Sequence, residues 1–270
     1  MARHQIKSGD AEIVYHVLGE GPPVILLHPF PANHEFWLPV ANDLSTRYRL
    51  ILPDLRGHGE SGIGEGPATM DKHAADIARV MDDADIRRAP LVGVSLGGYA
   101  LFEFWRSRRD RVTALGLFNT KAPADNTEAR SARLQAAIDV IERGTEPFFE
   151  GMIPRLIGKS TRELRPDLVD GALRMMRSMS PEDVAQVQRG MADRPDSVDT
   201  LKSIHVPTLL VTGDEDLLTG RNEAELMHEH IHHSQMQVIS KAGHYSPWEQ
   251  PQQAAELLRN FLSHLIPGAI

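Results

Sequence analysis

The sequence predicts an α/β fold: a parallel sheet covered by helices, with a helical insertion in the second half of the chain. Three observations carry this. Through the first 120 residues, short apolar runs alternate with amphipathic stretches in the order βαβαβ. The runs are continuously apolar rather than alternating, as strands buried on both faces are. From about Lys121 to about Leu201 the strand signal stops, and it resumes at Thr208.

The elements follow in order. Ile13, Tyr15 and Val17 alternate with their neighbours as a strand does, and Gly19 to Pro23 ends the run. Val24 to Leu27 is the first buried strand, and Phe36 to Leu44 reads as a helix. Leu50 to Leu52 is a second apolar run, ending at Pro53-Asp54. Met70 to Met81 carries helical spacing through Ala74, Ile77, Ala78 and Met81. Leu91 to Val94 is a strand, Gly97 to Trp105 a helix, and Val112 to Phe118 another strand.

The insertion shows amphipathic stretches at Leu134 to Ile141, Leu168 to Met179 and Val184 to Met191, divided by Pro147, Pro154, Pro166, Pro181 and Pro195. Thr208 to Val211 resumes the sheet, followed by a helix from about Glu223 to His230 and a short strand at Gln237 to Ile239. Pro251 opens the last helix, whose apolar face is Ala254, Leu257, Leu258, Phe261 and Leu265. The expected organisation is a core of residues 1–120 and 202–270 with a helical cap at 121–201.

Composition narrows the function classes. At 270 residues, 41% hydrophobic and 24% charged, the chain can bury a large core. It has no cysteine, so disulfides, thiolate catalysis and cysteine-based zinc sites are excluded. A net charge of −8 opposes binding to nucleic acid or to an anionic membrane. The Arg106, Arg108, Arg109, Arg111 group reads as a helix end, where cations complement the dipole. The first residues carry no secretory-type apolar run, and no stretch is long enough to span a bilayer. A cytoplasmic protein acting on a small molecule is the default expectation.

Gly93-Val94-Ser95-Leu96-Gly97 fits the G-x-S-x-G pattern that holds a nucleophilic serine on a sharp strand-to-helix turn. Such a match arises by chance in about one chain in ten of this length. Here the apolar strand before it and the helix-compatible run after it supply the context the motif requires. Crowding at the turn demands glycine two residues to either side, and Gly98 lets the helix approach the sheet.

A serine hydroxyl needs a base. Of 13 histidines, His244 stands out, because it follows the last strand and precedes the C-terminal helix. Loops at strand carboxyl ends are where such sheets hold chemistry. The acid should follow Thr208 to Val211, where Gly213-Asp214-Glu215-Asp216 offers three carboxylates. Asp216 is the choice and Asp214 the reserve, since either also suits a plain turn.

An oxyanion needs two N–H donors. One belongs to Leu96, directly after the serine. The other is expected from the loop His28-Pro29-Phe30-Pro31, where Phe30 is the only residue between the prolines with an N–H.

Two other groupings draw attention. His228 and His232 would share a face if the helix continued, at a metal-like spacing, but a solvated helix end accounts for them, and no metal or cofactor is expected. In the insertion, Phe148, Phe149, Met152, Ile153, Met175, Met176 and Met179 are apolar. Some should line an acyl pocket, and most should be core.

Taken together, His28-Pro29-Phe30 with Trp37, Asp54-Leu55-Arg56-Gly57-His58-Gly59-Glu60-Ser61, Gly93 to Gly98, Gly213 to Asp216, and Gly243-His244 with Glu249 and Pro251 resemble the α/β-hydrolase superfamily. The resemblance spans nearly the whole chain and is strongest to its esterases, enol-lactonases and cofactor-free haloperoxidase-like members. It implies an eight-stranded, mostly parallel sheet flanked by helices, a helical cap after the sixth strand, and Asp216 rather than Asp214 as the acid. Two positions depart from the usual pattern: Pro29 stands where glycine is common, and Gly220 where a proline often follows the acid loop. A serine at the elbow points to acyl chemistry rather than to the alkyl-enzyme route of aspartate relatives. The expected activity is hydrolysis of small to medium carboxylic esters or lactones with apolar character. Peroxide-dependent or lyase chemistry on the same triad, and a ligand receptor on this fold, are the alternatives.

Overall fold

A computed structural model describes residues 1–265; the last five residues of the expected second core segment lie outside the described part. Eight strands form one sheet: β1 (Ala2–Ser8), β2 (Ala11–Leu18), β3 (Pro23–Leu27), β4 (Arg49–Pro53), β5 (Ala89–Val94), β6 (Val112–Phe118), β7 (Thr208–Gly213) and β8 (Ser234–Ile239). Their order is β1-β2-β4-β3-β5-β6-β7-β8. The β1–β2 and β2–β4 pairs are antiparallel, and the rest are parallel.

The central strands are those whose sequences are continuously apolar. Val24 to Leu27, Leu50 to Pro53 and all of β5 and β7 are buried, because helices cover both faces of the sheet. The edges differ. β1 buries only Ile6 and Ser8, and β8 buries only Ile239. That is why the sequence gives no sign of β1 and only the end of β8.

After β3 the chain lays β4 on one side and β5 on the other. The loops leaving β3 and β5 therefore diverge and open a crevice at their carboxyl ends, where open α/β sheets bind ligands. The core helices are α1 (Leu38–Leu44), α2 (Met70–Asp83) and α3 (Leu96–Arg108). Arg106 and Arg108 sit in the last turn of α3, as its dipole favours.

Between β6 and β7 lie six helices: α4 (Thr127–Arg143), α5 (Glu146–Leu156), α6 (Lys159–Leu164), α7 (Pro166–Met176), α8 (Pro181–Ala192) and α9 (Val198–Leu201). Pro147, Pro166 and Pro181 occupy first-turn positions, where their missing N–H costs nothing. Pro154 does not divide two helices as expected. It lies inside α5 near its end, where the helix forgoes the N–H bond that position 154 would make to Glu150 O. A capping box at Ser180 and Asp183 starts α8. The chain then passes through α10 (Arg221–His230), α11 (Ser246–Glu249) and α12 (Pro251–Leu265). α4 packs on α8, α2 on α3, and α1 on α12. No helix among the described residues is long and apolar enough to cross a membrane.

Candidate active site

Ser95 sits between β5 and α3 with φ 51° and ψ −110°, a left-handed backbone that non-glycine residues rarely adopt. Its N–H donates to Phe118 O at 3.0 Å, and Thr120 Oγ1 donates to its carbonyl at 2.9 Å. The turn is possible because its flanks are glycine. A Cβ on Gly93 would lie 2.5 Å from the Gly97 carbonyl carbon, and one on Gly97 would lie 2.8 Å from Leu27 O. Leu96 is the first residue of α3, so its N–H has no acceptor within the helix.

The β3 loop closes as a turn, with Ala32 N–H donating to Pro29 O at 3.0 Å and a cis peptide between Phe30 and Pro31. His28 braces it. Its Nδ1 bonds Pro29 O at 2.9 Å, and its Nε2 accepts from Leu55 N–H at 2.9 Å. Nδ1 must therefore carry the proton. Burial pushes His28 down to about 3, so the ring stays neutral.

His244 and Asp216 meet beyond β8 and β7. His244 Nδ1 lies 3.0 Å from Asp216 Oδ2 and 3.1 Å from Oδ1, and both side chains are buried. A carboxylate only accepts, so Nδ1 carries the proton and Nε2 is left as a base. Asp216 also accepts from Asn119 Nδ2 at 2.9 Å, Leu218 N–H at 2.8 Å, Thr219 N–H at 3.1 Å and Thr219 Oγ1 at 2.9 Å. Burial alone would raise its pKa. The His244 ring and the donors from Asn119 and Leu218 outweigh that and hold it far below the usual carboxylate range.

Asp214 has a different task. It accepts from Ser240 Oγ at 3.2 Å and Ala242 N–H at 3.3 Å, bracing the turn that precedes His244. Glu249 does the same from the other side, accepting from Gly243 N–H at 2.9 Å and from Gly158 N–H at 2.8 Å. It thereby ties the six-helix segment to the His244 loop.

Ser95, His244 and Phe30 line one cavity of about 240 Å³, near the small end of ligand pockets. Ser95 and His244 thus face the same cavity from the β5 and β8 ends of the sheet. Of the apolar insertion residues singled out, Phe148 and Met152 line the cavity. Phe149, Ile153, Met175, Met176 and Met179 are buried in the core instead. Ala129, Ala132 and Ala136 of α4 form a further wall that no hydrophobic pattern marks.

This arrangement decides the family together with one comparison. Residues 22–251 match the alpha/beta hydrolase fold family. The chain is an α/β-hydrolase. Among solved structures, this hydrolase resembles a malate-bound thermophilic esterase from Thermogutta terrifontis, with 37% identity, a TM-score of 0.94, and coverage of 98% of this chain and 99% of that one. It is also 28% identical over 247 residues to 3-oxoadipate enol-lactonase 2 of Acinetobacter baylyi, covering 90% of each chain. Identity to 3-oxoadipate enol-lactonase 1 of the same organism is 25% over 244 residues, again 90% of each.

The residues that sequence reasoning missed are Asn119, Thr219 and Ser246. Asn119 Oδ1 accepts from Ser246 Oγ, and Asn119 Nδ2 reaches both Asp216 and Gly243 O. The available signal was a polar residue directly after an apolar strand; the positive φ of Asn119 is visible only in the structure. The histidine pair fares otherwise. α10 ends at His230, so His232 lies off the helix, and His228 Nδ1 bonds Ser234 Oγ at 2.8 Å. Among the described residues, the histidine–carboxylate group with converging ligand atoms is His16, His34, Asp54 and Glu60. Asp54 is engaged there by His34 N–H at 2.7 Å, His34 Nδ1 at 2.9 Å and Glu60 N–H at 2.9 Å, which fixes the segment after the β3 loop.

Proposed function

We propose that this α/β-hydrolase cleaves small carboxylic esters or lactones through an acyl-enzyme, with Ser95, His244 and Asp216 as its triad. One observation carries the reading. A serine on a strained strand-to-helix turn shares a pocket with a histidine whose Nδ1 is locked onto a buried carboxylate. The esterase and enol-lactonase relatives support it.

His244 Nε2 takes the Ser95 proton as Oγ attacks the carbonyl carbon. The Leu96 and Phe30 N–H groups hold the oxygen that becomes negative. As the tetrahedral intermediate collapses, the bond to the leaving oxygen breaks, and His244 returns its proton to that oxygen. Water then attacks the acyl-enzyme, giving up a proton to His244, and the acid leaves as Ser95 Oγ regains that proton. Asp216 stays ionised throughout and stabilises the imidazolium. Each step uses protein groups and water. Residues 121–201 act as the cap, with α4, α5 and α8 supplying pocket walls.

The test is hydrolysis of nitrophenyl esters of increasing acyl length by wild type and Ser95→Ala. The small cavity predicts an optimum at short acyl chains. The alanine variant should lose about 10⁴-fold or more in kcat. A wild type inert to all these esters and to simple lactones, or an unimpaired variant, overturns the proposal.

A further inference from the structure

The pocket is charged against the rest of the molecule. The chain holds 37 acidic and 29 basic residues. Yet Asp125 is the only carboxylate among the described residues that line the cavity, and Lys121, Arg133 and Arg155 line it too. Asp125 is already saturated. Arg133 Nε lies 2.5 Å from it, Arg194 Nη2 3.0 Å and Lys121 Nζ 3.2 Å, and its side chain is 1% exposed. Burial pushes the Asp125 carboxyl up, but Arg133, Arg194 and Lys121 outweigh burial and hold it at about 2.

One carboxylate can balance only one of these three cations. Arg194 turns its guanidinium over the Tyr99 ring, 4.2 Å from the centroid, and donates to Pro123 O. Lys121 and Arg133 keep part of their surface at the cavity. Arg155, on α5, forms no ion pair among the described residues. Lys121, Arg133 and the solvent-exposed Arg155 repel one another around one concave site, and a pocket built only for apolar acyl chains gains nothing from them. An anionic ligand relieves that repulsion, and the concave walls concentrate the field on it.

From this we infer that the pocket selects an ester carrying a second, free carboxylate, a half-ester of a short dicarboxylic acid, which Lys121, Arg133 and Arg155 hold while Ser95 attacks the ester carbonyl. The inference rests on the ester-hydrolysis reading for its chemistry and on the cavity charge for its selectivity. The guanidinium forks suit a carboxylate, and the alanine face of α4 leaves room beside Arg133.

The test compares monoethyl glutarate with ethyl pentanoate, which are close in shape and differ in charge, by proton release at constant pH. Wild type should favour the half-ester about tenfold or more in kcat/KM, and rising salt should shrink that preference. Arg155→Gln and Lys121→Gln should each lower the ratio of the two kcat/KM values about fivefold. Because both esters are measured on the same variant, any loss of folded protein cancels. A wild-type ratio of one or less, or a ratio that neither variant moves, overturns the inference. If wild type cleaves neither ester, binding of glutarate to the Ser95→Ala protein is read by NMR. Binding weakened by Arg155→Gln upholds the anion site, and the nitrophenyl ester and lactone assay decides the hydrolase reading of Ser95 separately. No binding overturns the inference.

Discussion

Asp216→Asn tests the triad most sharply, because the new amide differs from the carboxylate in one atom. Asp216 Oδ1 accepts from Leu218 N–H and Thr219 N–H, and Oδ2 accepts from Asn119 Nδ2 and Thr219 Oγ1. Two backbone donors fix the amide oxygen at the Oδ1 position. The amide nitrogen then falls at the Oδ2 position, facing Asn119 Nδ2 and, at 3.0 Å, His244 Nδ1. The imidazole can relieve the clash by moving its proton to Nε2 so that Nδ1 accepts from the amide. That tautomer has no lone pair to offer Ser95. The expected loss is about 10⁴-fold in kcat, or ~5 kcal/mol of transition-state stabilisation. The Asn119 donor left facing the new NH₂ should cost ~2 kcal/mol of stability, a fall of about 5 °C in Tm. Short-chain ester turnover and thermal melting by circular dichroism read the two effects separately. Asp214→Asn is the control, and it should lose less than about threefold in kcat, because Asp214 contacts only the Ser240 and Ala242 donors. An Asp216→Asn enzyme with a tenth or more of wild-type kcat would refute this assignment.

Two further outcomes concern stability. Asp125→Asn should destabilise the fold by ~2 kcal/mol at pH 7, since the carboxyl falls from 3.8 to about 2 on folding. A depressed carboxyl contributes fully above its unfolded value and loses that contribution as pH falls through its folded one. The gap to wild type in urea unfolding should therefore close between about pH 4 and pH 2, and a gap that stays constant over that range contradicts the ion cluster. Gly93→Ala would set a Cβ 2.5 Å from the Gly97 backbone, and the displaced elbow should cost about 3 kcal/mol along with ester turnover. A variant within about 0.5 kcal/mol of wild type by denaturant unfolding would show that the turn is looser than described.

Legibility in the sequence tracked burial and local chemistry. β3, β5, β6 and β7 were plain because both faces of each are covered, so nearly every residue is apolar, with Thr113, Thr208 and Thr212 as the exceptions. β1 was invisible because an edge strand facing solvent needs no hydrophobic pattern; it is held by its pairing with β2. α4 extends seven residues before Leu134 because that half is charged or small, with Ala129 and Ala132 facing a cavity instead of the core. The choice between Asp214 and Asp216 rested on the family resemblance. Their opposite tasks are apparent only once β7 and β8 are side by side.

Sequence alone determined the fold class, marked the glycine-flanked elbow at Ser95 and set His244 after the last strand, because these depend on short-range patterns: continuous apolar runs, glycines at fixed offsets, a histidine between a strand and the last helix. Only the tertiary structure decided what supports them and what the pocket holds. Asn119 and Thr219 orient Asp216 from different strand ends. Lys121, Asp125, Arg133, Arg155 and Arg194 come together from a loop, two helices and the segment after α8. Charge at a point in space is a sum over neighbours that packing brings together, and residues separated by dozens of positions carry no local mark of it.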